Sequence, residues 1–315
     1  MNYFLPVLIS FLIVRIMGPF VIPALTKLKA SQTERNIMES HVQKTGTPTM
    51  GGVMILTSLV VTTLIFCHND HRMIAVMLLA AGFGVIGFLD DYLKVVKRRS
   101  DGLLPWQKML MQIVLTTAFL IYMIKFSGVP MTLMVPFMNG RTIDIGFLAY
   151  PVLYLAVIGT VNGTNFTDGI DGQSSTVTII VCAFFALAAI KLGTGTETVS
   201  LIMAGALLGF LQFNCYPAKV FMGDTGSLML GGYVSGIAYI MQMPLFIILV
   251  GLIYLVEVLS VMIQVSYFKI SHGKRIFKMA PIHHHFELSG WSEVKVVTVF
   301  ATVTLLLSLL SLAGL

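Results

Sequence analysis

Five aspartates carry the chemistry that can be read from this sequence. Asp90 and Asp91 stand side by side in Phe88-Leu-Asp-Asp-Tyr-Leu-Lys94. Asp168 and Asp171 fall three apart in Asn162-Gly-Thr-Asn-Phe-Thr-Asp-Gly-Ile-Asp-Gly-Gln173, so one helical turn would direct both the same way. Asp224 sits between glycines in Phe221-Met-Gly-Asp-Thr-Gly-Ser227. Hard carboxylate oxygens with no cysteine among them suit Mg2+ or Mn2+ rather than zinc. Mg2+ takes one or two carboxylates and fills its remaining positions with water and phosphate. With lysines nearby, that composition points to phosphoryl transfer: a metal bridging a diphosphate, cations absorbing charge, and a carboxylate as base or nucleophile.

Each motif also has a plainer reading. Asp90 and Asp91 could mark where a helix meets water, Asp171 could cap the next helix, and Asp224 suits a turn or an N-cap. If the helix runs on past Asp91, Lys94 lies at i+4 from Asp90 on the same face. The run Lys94, Lys97, Arg98, Arg99 reads as a topology signal or as a grip on phosphate. The segment Lys44-Thr-Gly-Thr-Pro-Thr-Met-Gly-Gly52 offers glycines for close backbone approach and the hydroxyls of Thr45, Thr47 and Thr49. It lacks the Lys-Ser/Thr ending of a P-loop. In Pro281-Ile-His-His-His-Phe-Glu287, the three histidines can hydrogen-bond phosphate or take a proton, or stand idle at the surface. Glu257 and Gln264 interrupt an apolar run, so they face protein or a polar cleft.

These residues need a scaffold, and the composition says what kind. Of 315 residues, 57% are hydrophobic and 11% charged, against about 25% charged in soluble domains. The expected fold is an all-α polytopic membrane protein, one domain over 1–315. About 20 apolar residues per span give ten candidates: 3–25, 51–67, 73–90, 109–127, 147–163, 174–191, 198–214, 227–243, 245–268 and 295–314. An even count puts both termini on one side. One set of loops holds Lys27, Lys29, Arg35, Lys44, Lys94, Lys97, Arg98, Arg99, Lys108, Lys219, Lys269, Lys274, Arg275 and Lys278. The other holds Arg72, Lys125, Arg141 and Lys191. That asymmetry assigns the first set, and with it every acidic motif, to the cytoplasm and both termini to the outside. The net charge of +6 belongs to these loops rather than to a nucleic-acid surface. Cys67, Cys182 and Cys215 have neither metal-ligand nor disulfide spacing. The first apolar run lacks the basic start and cleavage site of a signal peptide and reads as a retained span.

Taken in order, Gly46-Thr-Pro-Thr-Met-Gly-Gly52, Leu89-Asp-Asp-Tyr-Leu-Lys94, Asn165-Phe-Thr-Asp-Gly-Ile-Asp-Gly172, Met222-Gly-Asp-Thr-Gly-Ser227 and Pro281-Ile-His-His-His-Phe-Glu287 resemble the polyprenyl-phosphate N-acetylhexosamine-1-phosphate transferases. The first and last of these motifs resemble the muramoyl branch of that family, and the resemblance covers nearly the whole chain. It implies transfer of phospho-N-acetylmuramoyl-pentapeptide from its UDP derivative to undecaprenyl phosphate, with Mg2+, at the cytoplasmic face of a bacterial inner membrane. It further implies Asp224 as principal Mg2+ ligand, Asp90 as base, and Asp91 beside it helping metal or substrate. Lys94 and Lys108 would hold phosphates. Asn165, Asp168 and Asp171 would meet nucleotide and diphosphate, while Asn214, Phe221 and Gly223 frame the uracil. His283 would be catalytic, with His284, His285, Gln264 and Thr47 contacting or flanking substrate. A sister transferase for N-acetylglucosamine-1-phosphate would share the aspartates but not the His-His-His-Phe-Glu run. A transporter or flippase would need ionisable residues at the bilayer midplane and paired repeats, whereas only Arg15 and Glu257 look intramembrane. A homodimer is compatible with the long amphipathic 128–146 stretch.

Overall fold

Backbone in hydrocarbon must satisfy its own polar groups, and the apolar runs do so as helices. The computed structural model describes residues 3–28, 46–95, 97 and 102–315. Of the residues singled out above, Lys29, Arg35, Lys44, Thr45, Arg98 and Arg99 lie outside the described residues. In chain order the helices are α1 (Phe4–Lys27), α2 (Gly52–Phe66), α3 (His71–Val95), α4 (Pro105–Lys125), α5 (Ala149–Thr167) and α6 (Gln173–Leu192). There follow α7 (Glu197–Asn214), α8 (Gly223–Ile240), the short α9 (Ile247–Val250), α10 (Leu252–Ile270), α11 (Ile282–Glu287) and α12 (Glu293–Ala313). Within 128–146, β1 (Leu133–Met134) pairs antiparallel with β2 (Thr142–Ile143).

The chain is an all-α polytopic membrane protein. Among the described residues, 8 helices are long and apolar enough to cross a membrane. The two other expected segments, 51–67 and 227–243, correspond to α2, of 15 residues, and to α8. α8 is polar for a physical reason: every residue of it except Asp224 is buried, so it faces protein rather than lipid. It packs on α2, α3 and α5. Gly52 and Gly226 face each other across the α2–α8 contact, and a Cβ on Gly52 would overlap the Gly226 backbone. Close approach of that kind is how helices associate where no hydrophobic force separates protein from solvent.

Four expected boundaries move by four residues or more, all at the same end of the molecule, and one is the start of α4, at Pro105 rather than 109. α3 continues to Val95 rather than stopping at 90, α5 reaches Thr167 rather than 163, and α8 begins at Gly223 rather than 227. Polar side chains there find partners on neighbouring helices, so the backbone stays helical through the motifs. The expected span 245–268 instead breaks at Gly251, between α9 and α10. At the far end of α6, Lys191 Nζ donates to Leu312 O at 2.9 Å. Phe137 N–H donates to Gly314 O at 3.1 Å, so the C-terminus lies at the end of α6 remote from Gln173.

Candidate active site

Asp90 and Lys94, one turn apart on α3, form an ion pair at 2.6 Å. The continuation of the helix past Asp91 is what permits it. Lys94 Nζ also reaches Asp224 Oδ2 at 3.2 Å, and Lys108 Nζ, from the first turns of α4, reaches the same oxygen at 2.8 Å. Asn165 Nδ2, in the last turn of α5, donates to Asp224 Oδ1 at 2.8 Å and to Ser227 Oγ at 2.9 Å. Asp90 Oδ1 accepts from the Leu103 N–H at 2.6 Å. Three helices thus converge on one carboxylate, Asp224, at the start of a fourth, α8.

Asp91 is turned the other way. Its oxygens accept from the backbone N–H groups of Asp224 and Thr225, at 3.1 and 2.9 Å, and from the Thr225 hydroxyl at 2.6 Å. These are donors that a helix start leaves unpaired. Asp168, just past the end of α5, accepts from the Gly223 N–H. Burial pushes its carboxyl up to about 8, and the charges of Asp224, Asp91 and Asp171 push it the same way.

Loops close around this centre. The 46–52 segment lies alongside 220–222: Phe221 N–H donates to Pro48 O, and Gly51 and Gly52 N–H donate to Phe221 and Met222 O, all at 2.8 to 2.9 Å. Met50 holds φ 74, a left-handed conformation rare for a side chain of its size, inside that pairing. Thr47 is half-buried at the edge of the same segment. Asp171 Oδ2 accepts from the Ala218 N–H at 2.8 Å. Asn214 Nδ2 donates to Val220 O at 3.1 Å, and Asn214 Oδ1 accepts from Ser175 Oγ at 3.0 Å. Asp171 and Asn214 therefore shape the loop that delivers Phe221 and Gly223.

The histidines divide. His283 is buried, its Nδ1 3.0 Å from Glu257 Oε1, and its ring packs against Gly169 beside Asp168. His284 stacks at a tilt on His283 with centroids 4.1 Å apart and pairs with Glu287 at 2.7 Å. His285 Nδ1 accepts from the Lys278 N–H at 3.1 Å. Gln264 is engaged by the backbone of Ile276 and Phe277, away from the carboxylates.

Among the described residues, no three His, Cys, Asp or Glu side chains form a ready-made metal site. The lysine ammonium groups stand between the carboxylates instead. The donors nonetheless have the chemistry for a hard divalent cation: Asp224 and Asp90 offer oxygens that meet Lys94, Lys108, Asn165, a backbone N–H and each other.

This arrangement has relatives. A family model described as glycosyl transferase family 4 matches residues 73–242, and a signature described as phospho-N-acetylmuramoyl-pentapeptide-transferase signature 1 matches 44–56. A phospho-N-acetylmuramoyl-pentapeptide-transferase of Acetivibrio thermocellus is 48% identical over 307 residues, covering 96% of this chain and 92% of that protein. One from Clostridium botulinum is 48% identical over 312 residues, covering 98% and 95%, and one from Clostridioides difficile is 46% identical over 308 residues, covering 97% and 95%. The chain belongs to the phospho-N-acetylmuramoyl-pentapeptide-transferase family. It is a transferase of peptidoglycan synthesis, and the transporter and N-acetylglucosamine readings give way to that assignment.

Within this transferase, several site residues had no role assigned from sequence. Thr225 and Ser227 lay inside a quoted motif, yet nothing in their types showed that they would hold Asp91 and Asn165. Gln173, which donates to Glu257 Oε1 at 2.9 Å, carried no signal beyond adjoining Gly172. Glu257 had one: a carboxylate inside an apolar run must have a partner.

Proposed function

We propose that this transferase moves phospho-N-acetylmuramoyl-pentapeptide from its UDP derivative to undecaprenyl phosphate, releasing UMP, at the cytoplasmic face of the bacterial inner membrane. The observation that carries the reading is the convergence of Asp90, Lys94, Lys108 and Asn165 on Asp224 at one end of a membrane helix bundle. The excess of basic residues in the loops at that end supports a cytoplasmic location for it. One substrate enters from water and the other from lipid, which suits a polar centre at the end of apolar helices.

An oxygen of the lipid phosphate attacks the phosphorus that bears the sugar. A new P–O bond forms there, and the bond from that phosphorus to the oxygen bridging it to the uridine-bearing phosphate breaks. The bridging oxygen and its electron pair leave with UMP. Asp90, held by the Leu103 N–H and Lys94, takes any proton that the attacking phosphate still carries. Lys94 and Lys108 sit where charge accumulates on the phosphate oxygens and leaving group. Asn165 fixes the Asp224 carboxylate against Ser227. Asp224, with Asp90, would hold Mg2+, which supplies charge neutralisation at the diphosphate. Asp91 acts behind them by holding the start of α8.

The test is UMP release by purified protein in detergent, supplied with undecaprenyl phosphate, UDP-N-acetylmuramoyl-pentapeptide and Mg2+. Release that depends on both substrates and is abolished by EDTA supports the reading. Equal release with UDP-N-acetylglucosamine, or release that persists in EDTA, contradicts it.

A further inference from the structure

Glu257 is a carboxylate that, among the described residues, pairs with no lysine or arginine. It lies in the apolar stretch Leu252-Ile-Tyr-Leu-Val-Glu-Val-Leu of α10, and its side chain is wholly buried. Its two oxygens lie 3.0 and 3.1 Å from His283 Nδ1, and Oε1 also accepts from Gln173 Nε2 at 2.9 Å. A buried carboxylate is tolerated only when its lone pairs are met, and here one imidazole and one carboxamide meet them.

We propose that Glu257 is a positioning residue for the transfer reaction. It holds His283 with the Nδ1–H donated to the carboxylate, so that Nε2 packs on the Asp168–Asp171 loop at Gly169 and fixes that loop where it meets the substrate. The inference rests on the reaction proposed above.

Which nitrogen of a histidine carries the proton is set by the bond made at the other. An ionised carboxylate can only accept, so its contact assigns a proton to Nδ1 and leaves Nε2 turned to the loop. That atom is buried and has no hydrogen-bond partner among the described residues. Buried polar atoms are seldom left so. It points at Gly169, where a Cβ would overlap the ring, so only glycine leaves room there. The neighbour of Gly169 is Asp168, which accepts from the Gly223 N–H next to Asp224. His283 is therefore one loop away from the central carboxylate. A pair serving only to tie α10 to α11 would have no use for a second, unmet nitrogen aimed at that loop. Gln173, at the start of α6, donates to the same Oε1 that His283 meets. His284, stacked on the ring, is itself held by Glu287.

The test uses the full-length protein in detergent and the UMP-release assay, with melting temperature measured for each variant. Wild type releases UMP; failure at that step would count against the proposed reaction, not against this arrangement. Glu257→Gln lowers kcat at least about tenfold with KM for the nucleotide changed less than about twofold. Glu257→Asp recovers part of the rate. The effect of Glu257→Gln disappears when combined with His283→Ala, because a residue acting only through His283 has nothing left to act on. Wild-type kcat in Glu257→Gln, or losses that multiply in the double variant, overturns the proposal. Nitrogen-15 spectra of histidine-labelled wild type, assigned by loss of signals in His283→Ala, decide the case even if Glu257→Gln does not fold. A protonated, hydrogen-bonded Nδ1 is expected, and a bare Nδ1 refutes the arrangement.

Discussion

Asp91 holds the first turn of the helix that carries Asp224, although the two residues are 133 positions apart in sequence. α8 has no side-chain cap of its own. A carboxylate from α3 takes that place, accepting two backbone N–H groups and the Thr225 hydroxyl. Adjacent aspartates on one helix thereby face different duties, Asp90 toward Lys94 and Asp91 toward the backbone.

Removing that brace lowers stability before it touches chemistry. Asp91→Ala leaves buried N–H groups unmet and costs about 2–3 kcal/mol, and Asp91→Asn, with one acceptor remaining, costs roughly half as much. Thermal unfolding in detergent reads both. An Ala variant that melts with wild type would show that the contact does not hold α8.

Asp224→Asn has the opposite signature. The side chain still accepts from Asn165, but Lys94 and Lys108 lose their counter-ion and the proposed metal loses its ligand. kcat for UMP release falls by about a hundredfold or more, while the melting temperature stays near wild type. A rate within a few-fold of wild type would remove Asp224 from the centre of the mechanism.

Asp168 makes stability depend on pH with a definite sign. Its carboxyl is pushed up to about 8 in the folded protein, above about 4 in an unfolded chain. Between those values the folded state keeps a proton that the unfolded state has released, so stability falls as pH rises through the window. Asp168→Asn removes the dependence. In EDTA, its melting temperature relative to wild type rises from about pH 5 to about pH 8. A difference that stays flat or falls contradicts the assignment.

Gly87 on α3 packs so closely on α8 that a Cβ there would overlap the Asp224 carbonyl. Gly87→Ala must push the two helices apart at that turn. Overpacking of this kind costs about 1–3 kcal/mol. Because the displaced residue is Asp224, UMP release falls more steeply than folded yield. Size-exclusion profile and kcat, measured on the same preparation, separate the two.

Much of this molecule was legible in its sequence because membrane helices announce themselves by length and apolarity. Lys94 at i+4 from Asp90 was foreseen on one condition, that the helix run past Asp91, and it does. The motifs are less legible as structure: Asn165 falls beyond its expected span and Asp224 reads as a turn or N-cap residue, yet both lie inside helix ends. Helix boundaries there depend on partners from other helices, such as Asp91 for Thr225, which no local pattern encodes. The duties of Asp91 were hidden for the same reason, since its type suits a metal as well as a backbone N–H. α8 marks the limit of the apolarity argument, because a helix surrounded by protein has no need to be apolar enough for lipid.

That last feature has a mechanical consequence. Helices that touch lipid tilt and shift to match the thickness of the bilayer around them. α8 touches none, and it is clasped by α2, α3 and α5, with Asp91 fastened to its first turn. Strain from a thinner or thicker membrane is taken up by the outer helices, and Asp224 keeps its place among α2, α3 and α5 while Lys108, carried on the lipid-facing α4, is the partner that moves relative to it. An enzyme built around such a strut keeps its central carboxylate fixed and feels the bilayer through the helix that brings Lys108 to it.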